Sequence, residues 1–162
     1  SGLALAYKVG IRQEGTYPDQ PNDTYINPNL RIVNEGSSAV PLESLALRYY
    51  FDSDGQTPQI EEAWYVGVVS TDADLTTTLQ WSFVSGVGAT GATHYVELTF
   101  APGTGDLAAS DAVIVIVGIN NLDWIGWDES NDYSYNGTLT EYSDWPNVTL
   151  WYEGQLVYGS EP

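Results

Sequence analysis

The sequence predicts an all-β protein, an antiparallel β-sandwich with jelly-roll topology and about nine strands. Short stretches that alternate apolar and polar side chains recur at intervals of about 10 residues along the chain. Clusters of Gly, Pro, Asp, Asn and Ser separate these stretches, as turns between strands require. No window of helical length carries apolar residues at the three-four spacing of an amphipathic helix. The pattern is therefore typical of short strands joined by turns.

The strands follow from the same alternation, taken in chain order. The first is predicted from residue 4 to residue 12, ALAYKVGIR, and the loop EGTYPDQPND follows it. Asn29 to Asn34 forms the next strand, and Leu45 to Phe51 forms a third that ends at Asp-Ser-Asp-Gly. The last two strands are joined by the short hairpin turn Glu153-Gly154. The remaining predicted strands share this alternation and lie at 63–69, 79–84, 94–100, 112–117, 148–152 and 155–158.

The length of 162 residues fits one domain, with no linker or internal repeat between residues 1 and 162. The chain has no cysteine, so disulfides and thiol chemistry are excluded. The first residues, SGLALAYKVG, are too short and too polar for a signal peptide or a membrane span. We therefore expect any export signal to have been removed or to lie outside this sequence.

The charge balance excludes several classes of partner. The chain carries 22 Asp and Glu against 4 Lys and Arg, a formal net charge of −18. Nucleic acids and anionic membrane surfaces are bound mainly through Lys and Arg, so neither is an expected partner. The acids serve either as a solubilising surface or as cation ligands. The rings are 6 Trp and 12 Tyr with only 3 Phe, and rings with a polar edge suit wet interfaces.

No pattern in the sequence predicts catalysis. The single histidine, His94, falls in the alternating stretch THYVELTF, and no nucleophile elbow accompanies it. The acid pairs Glu61-Glu62 and Asp72/Asp74 could in principle form a glycosidase pair, since that chemistry needs two carboxylates at a set separation. With 22 carboxylates, however, accidental pairs are common. We expect a protein that is not an enzyme.

Two acidic clusters are candidates for a calcium site. Asp52 and Asp54 follow a predicted strand and precede Gly55, while Asp128, Asn131 and Asp132 surround one short bend. Calcium takes six to eight oxygen ligands, which carboxylates, amides and carbonyls supply. Neither cluster matches the EF-hand loop, and ordinary Asx turns are the alternative interpretation.

Four stretches resemble the family 3 carbohydrate-binding modules, the cellulose-binding jelly rolls of cellulases and cellulosomal scaffoldins. They are NEGSSAVPLESLALRYY at 34–50, LRYYFDSDGQ at 47–56, SNDYSY at 130–135 and the ending VTLWYEGQLVYGSEP. The likeness covers nearly all of the chain in the same order. It implies a structural calcium, with the matching ligand positions at Asp52, Asp54, Asp128, Asn131 and Asp132.

The resemblance also implies a flat line of aromatic and polar side chains that lies on cellulose. Sugar rings present C–H groups that stack on exposed aromatic faces. Trp124 matches the family's tryptophan on this line, and an aromatic residue is also common at Trp127. Core packing beside the acidic loop is the alternative for Trp127.

The rest of the line departs from the family's pattern. Cellulose binders carry an Asp-His pair after a Trp, whereas Trp64 is followed by Tyr65-Val66-Gly67. The position of the family's Arg is Gly118. Tyr65 and Trp81 are candidate substitute rings, with core packing as the alternative for both.

A shallow groove is expected on the opposite face, where the resemblance matches Arg48 and Tyr50. Strand alternation puts both side chains on one face. An ion pair between Arg48 and a carboxylate is the alternative to a role in binding.

Together these observations predict a non-catalytic module that targets a larger secreted or cell-surface protein to cellulose or a related plant cell-wall β-glucan. One alternative is an enzyme-appended module that assists a neighbouring glycoside hydrolase without binding crystals. Another is a groove-based protein-interaction module. The expected location is extracellular or at the cell surface, with no nucleic acid partner and no insertion into membranes by this domain.

Overall fold

The computed structural model describes residues 2–10 and 24–162. Within these ranges the regular structure is β-strand, apart from two single turns of 3₁₀ helix at Leu42–Ser44 and Thr76–Thr78. None of the described helices has the length and apolar character needed to cross a bilayer. The prediction of an all-β chain is confirmed.

Nine of the described strands have four or more residues, as the sequence predicts. They are β1 (Leu3–Val9), β2 (Pro28–Asn34), β4 (Leu45–Phe51), β6 (Ala63–Val68), β7 (Leu79–Ala89), β8 (Ala92–Phe100), β10 (Ala112–Val117), β13 (Val148–Tyr152) and β14 (Gln155–Tyr158). Five two-residue strands, which the sequence does not predict, are β3 (Val40–Pro41), β5 (Pro58–Gln59), β9 (Asp106–Leu107), β11 (Asn120–Asn121) and β12 (Ser143–Asp144). Residues 11 and 12 of the first predicted strand, and the loop at 14–23, lie outside the described residues.

Two five-stranded antiparallel sheets form the sandwich. The first sheet has the order β12-β1-β2-β10-β6, and the second has the order β14-β13-β4-β8-β7. Alternating residues of β1 and β10 point inward and are buried, as are those of β4 and β8. These side chains pack as one hydrophobic core, which includes Leu5, Leu47, Leu98 and Val115. Burial of this core is the main force that holds the two sheets together.

The alternation also decides which side chains form the outer face of the first sheet. Lys8 of β1, Arg31 of β2 and Ile114 of β10 occupy the half-buried positions between the inward ones. The register places Arg31 between Ala6 on one neighbouring strand and Ile114 on the other.

A β-bulge in β6 changes this alternation at one point. Ile116 pairs with Tyr65, but the next residue, Val117, pairs with Ala63, so Trp64 is the extra residue. Ala63 and Val66 remain buried, while Trp64 is exposed and Tyr65 is half-buried. A bulge of this kind turns two consecutive side chains to the same side of the strand. Trp64 and Tyr65 therefore both leave the core side of the first sheet.

Candidate functional site

Trp124 is held at the surface by a tight turn after β11. Both polar atoms of the Asn121 side chain bind Ile125: the amide donates to the Ile125 carbonyl at 3.0 Å and the oxygen accepts its N–H at 3.1 Å. The Trp124 N–H donates to the main-chain oxygen of Asn121. Trp124 itself has a left-handed backbone, φ 56°, and its side chain is 50% exposed. Because that conformation is unfavourable for a bulky residue, the buried Asn121 must stabilise it.

Trp127 lies in the core, and the prediction that it contacts carbohydrate is wrong. Its side chain is 1% exposed, and its indole N–H donates to the carbonyl of Ile119 at 2.9 Å. Its ring meets the edge of Phe51 at a centroid distance of 5.9 Å. A ring enclosed in this way has no free face for a sugar.

Trp64 occupies the space above Gly118. A Cβ atom added at Gly118 would lie 2.2 Å from Cζ2 of the Trp64 ring, so any larger residue there would displace the indole. Trp64 is 41% exposed. The position where the resembling family carries an Arg is thus covered by an aromatic ring, which the bulge in β6 directs to this side.

Tyr25 connects the two exposed tryptophans. Its ring centroid is 5.0 Å from that of Trp64 and 6.1 Å from that of Trp124, with interplanar angles of 72° and 90°. Burial and the nearby Glu61 carboxylate raise the pKa of the Tyr25 hydroxyl. We call Trp64, Tyr25 and Trp124 the aromatic platform. Since the Tyr25 ring is steeply inclined to both indoles, the three rings do not share one plane.

Tyr65 lies along its own strand next to the platform. A Cβ added at Gly67 would be 2.1 Å from the Tyr65 hydroxyl oxygen, so the phenol ring rests over that glycine. The hydroxyl approaches Oδ1 of Asp72 at 3.5 Å. Tyr65 stays a candidate contact at the edge of the first sheet.

Trp81 lies on β7, at the edge of the second sheet. It is half-buried and packs against the core from the side of Leu79 and Phe83. Part of its ring lines a cleft beside Glu61, Glu62 and two threonines, Thr76 and Thr77. Trp81 therefore packs partly on the core and partly lines a surface cleft, so it stays a candidate contact.

The two acidic clusters come together, as the sequence predicts. The Asp52 N–H donates to Asp132 Oδ1 at 2.9 Å, and the Asp128 N–H donates to Asp54 Oδ2 at 2.8 Å. Burial, together with the nearby carboxylates of Asp54, Asp52 and Asp128, raises the pKa of Asp132 to about 8, although the hydrogen bond from the Asp52 N–H opposes the shift. The end of β4 and the loop after Trp127 thus meet through carboxylates that repel one another.

This acidic junction has the donor chemistry of a hard-cation site. Asp132 Oδ2 is buried without a hydrogen-bond partner. Asn131 is exposed beside it. Within residues 2–10 and 24–162, no group of three or more His, Cys, Asp or Glu side chains is arranged to hold a metal ion by itself. A cation would therefore need amide and main-chain oxygens besides the carboxylates, and calcium accepts all three.

Arg48 and Tyr50 share the outer face of the second sheet, but neither is free. The Arg48 Nε donates to Glu97 Oε2 at 2.8 Å, and its guanidinium lies over the rings of Tyr95 and Trp151 at 4.7 and 4.2 Å. Tyr50 is 2% exposed, and its hydroxyl shares a hydrogen bond with Thr149. The predicted ion pair of Arg48 is therefore present, and Tyr50 forms the floor of this face.

Sequence reasoning missed Trp64 and Tyr25 as platform residues. Tyr25 follows a loop with no strand pattern, so nothing in its neighbourhood indicates its direction. Trp64 carries a signal: two adjacent aromatic residues at the start of a strand break the alternation, which is what a bulge produces. Gly118 is the second signal, because it makes room for a large ring.

Comparison with known proteins places this geometry in a family. The family model described as "Cellulose binding domain", CBM_3, matches residues 13–159. Endoglucanase A of Paenibacillus lautus is 37% identical over all of this chain, which spans 21% of that protein. Cellulosomal-scaffolding protein A of Acetivibrio thermocellus is 34% identical over 90% of the chain, which spans 8% of it. The chain thus corresponds to a small part of these relatives.

Solved structures agree with the fold. A family IIIa cellulose-binding domain from Clostridium cellulolyticum superposes with a TM-score of 0.87 at 25% identity, covering 99% of this chain and 98% of that one. A CBM3a domain of a Clostridium thermocellum scaffoldin gives 0.86 at 28% identity, covering 99% and 91%. The predicted jelly-roll sandwich is confirmed, and the chain belongs to the family 3 carbohydrate-binding modules.

Proposed function

We propose that this chain is a non-catalytic module that binds cellulose or a related β-glucan through the aromatic platform. The observation that carries the proposal is the contact of Trp64, Tyr25 and Trp124, two of them large exposed rings, on one side of a rigid sandwich. Exposed tryptophans are costly to hydrate and offer faces on which sugar C–H groups stack.

The elements beneath the platform fix it before any ligand binds. The bulge in β6 directs Trp64, and the Asn121 turn directs Trp124. Rings that are already ordered lose little conformational entropy on binding, so several weak stacking contacts can add. Rigid presentation thus offsets the loss of the Asp, His and Arg of the family's pattern.

The ring angles favour disordered over crystalline glucan. A crystal face is flat, whereas the Tyr25 ring stands at 90° to that of Trp124. A single chain can bend around the edge of Tyr25, but a rigid face cannot. The module would accordingly be retained better by amorphous than by microcrystalline cellulose.

The acidic junction is proposed as a structural calcium site formed by Asp52, Asp54, Asp128, Asn131 and Asp132. Its support is the junction's mutual carboxylate repulsion, the buried Oδ2 of Asp132 and the oxygen-only donor set. A divalent cation would neutralise the like charges that meet there. Bound calcium would stabilise the loop between Trp124 and Ser134, which joins the platform to the second sheet.

Residues 1–162 are proposed as a single module linked to a larger secreted or cell-surface protein. The support is that its relatives are an endoglucanase and a scaffolding protein of which it spans a small part. Which protein carries the module would be read from the sequence of the intact gene product.

Depletion of the protein from solution by amorphous and by microcrystalline cellulose tests the proposal. Trp124→Ala should weaken retention by roughly three- to tenfold, the value of one aromatic contact of about 0.5–1.5 kcal/mol. Trp151→Ala is the matched control, because it removes a half-buried indole from the opposite face. Unchanged retention of the Trp124 variant would refute the platform, and loss with the Trp151 variant would assign binding to the face of Arg48.

A further inference from the structure

Two cations on the outer face of the first sheet have no acidic partner among residues 2–10 and 24–162. The chain has 4 Lys and Arg in total, and Arg48 is paired with Glu97. Lys8 and Arg31 form no ion pair with any carboxylate of the part of the chain that the structure describes. In a protein with 22 acidic residues, unpaired cations are unexpected, because nearby carboxylates lower their energy.

One ring holds both cations in place. The Lys8 Nζ lies 4.7 Å from the centroid of Tyr142, and the Arg31 Cζ lies 4.6 Å from the same centroid. Arg31 is opposite Ala6 of β1, and Tyr142 immediately precedes β12 on the other side of that strand. Cation–π attraction therefore holds both charges against the Tyr142 ring.

The acids that the structure describes near this pair make no ion pair with it. Asp144 is opposite Ala6 in the register, and Glu141 precedes Tyr142, but neither forms an ion pair with Lys8 or Arg31. The Nε of Arg31 is buried without a hydrogen bond, so the ring, and not a carboxylate, sets the position of the guanidinium. Among the described residues, the pair therefore places two unpaired positive charges together on a protein of net charge −18.

We propose that Lys8 and Arg31, positioned by Tyr142, bind the carboxylate of a uronic acid residue carried by an otherwise neutral β-linked polysaccharide. A guanidinium and an ammonium held on one ring offer the charged donors that a carboxylate binds, whereas sugar hydroxyls need neither charge. The net charge of −18 repels a dense polyanion, so the ligand bears acidic residues sparsely.

The inference rests on the proposed function, because the same polysaccharide would also contact the aromatic platform. The platform lies at the β6 edge of the first sheet and Tyr142 lies at the β12 edge. Four strand spacings of about 4.8 Å separate these edges, roughly 19 Å in all. A chain that crosses the strands can therefore reach both sites at once.

The test compares amorphous cellulose with the same material after oxidation of a small fraction of its C6 hydroxymethyl groups to carboxylates. At about 0.15 M ionic strength, where the rest of the protein's charge is screened beyond about 8 Å, we expect the protein to bind the oxidised material roughly two- to fivefold more tightly. Arg31→Gln and Lys8→Gln should each reduce that preference and leave binding to unoxidised cellulose unchanged.

Gln80→Glu is the matched control, because it makes the net charge more negative by one at an exposed position of the second sheet. Its preference for oxidised cellulose should equal that of the unaltered protein. An equal loss in the Gln80 variant, or full preference in the Arg31 variant, would overturn the proposed carboxylate site.

Failure of all cellulose binding would refute the proposed function separately. In that case titration with a glucuronic-acid-substituted xylo-oligosaccharide and its unsubstituted counterpart decides the inference. Binding of the charged oligosaccharide that Arg31→Gln removes would support it, and no difference between the two oligosaccharides would overturn it.

Discussion

Gly118 shows how the absence of a side chain contributes to a binding surface. Its backbone has an ordinary conformation, so its small size, and not its flexibility, is what the site uses. The Trp64 indole rests where a Cβ would be, and this contact orients the ring toward Tyr25. The specificity of the platform therefore depends on a residue that cannot itself touch a ligand.

Gly118→Ala should move Trp64 and weaken glucan binding by about as much as Trp64→Ala, roughly three- to tenfold for one lost stacking contact. The added methyl group collides with the ring, whose centre must shift. Depletion isotherms on amorphous cellulose measure the effect. Gly55→Ala is the control, since a Cβ at Gly55 meets no atom, although its positive φ lowers stability slightly. Retained binding in the Gly118 variant would show that Trp64 tolerates displacement.

Asp132 should make the metal-free protein less stable as pH rises. Burial raises its folded pKa to about 8 from the usual value of 3.8, so the folded state binds the proton more tightly than the unfolded state. The free energy of unfolding therefore falls between about pH 4 and pH 8. Urea titrations in the presence of a chelator measure this slope, which Asp132→Asn should reduce. A slope that is equal in both proteins would contradict the assignment.

At the scale of elements, the turn after β11 connects a buried amide to an exposed indole. Asn121 is fully buried, and its side chain forms two hydrogen bonds with the backbone of Ile125. Trp124 lies between these two residues, has a left-handed backbone and carries the exposed indole. The turn is thus part of the core on one side and part of the platform on the other. Its rigidity follows from burial and not from the loop's own sequence.

Asn121→Ala should lower the stability of the protein by about 1–3 kcal/mol, because the Ile125 N–H and carbonyl lose their partner. Glucan affinity should fall more than the remaining folded fraction explains, since Trp124 loses its fixed direction. Calorimetric melting and depletion isotherms on the same preparation separate the two effects. Unchanged glucan affinity in a destabilised Asn121 variant would show that this turn does not orient Trp124 for binding.

Calcium removal is the matching prediction for the acidic junction, which joins β4 to the loop after Trp127. A ligand that binds only the folded state raises the melting temperature, so a chelator should lower it, and added calcium should restore it. Asp132→Asn should abolish the calcium effect while it stabilises the metal-free protein. A melting temperature that is unchanged by both chelator and added calcium would refute the calcium site.

At the scale of the whole molecule, the large negative net charge opposes the compact folded state. A net charge of −18 repels itself in the folded state, and the described ion pairs are few. Sodium chloride should therefore raise the melting temperature of the chelated protein between low and physiological ionic strength by screening this repulsion. Sucrose at matched osmolality is the control. A melting temperature independent of salt would show that the acids are spaced too widely to interact.

Sequence patterns predicted the sandwich because each long strand carries its own alternation of apolar and polar residues. The family resemblance predicted that Asp52 and Asp128 lie close together. They failed where the answer depends on a neighbour in space. Trp127 could not be separated from a surface ring until the structure placed Phe51 beside it and buried it. Two-residue strands such as β11 carry too few residues for any period to appear.

The bulge in β6 has a consequence for how such a surface can arise. One additional residue turns Trp64 outward while Ala63 and Val66, on either side, keep their places in the core. A single inserted codon can therefore add an aromatic contact without repacking the interior. Ligand preference in this fold can change in steps that leave stability almost untouched, so modules with nearly identical cores can differ in what they recognise.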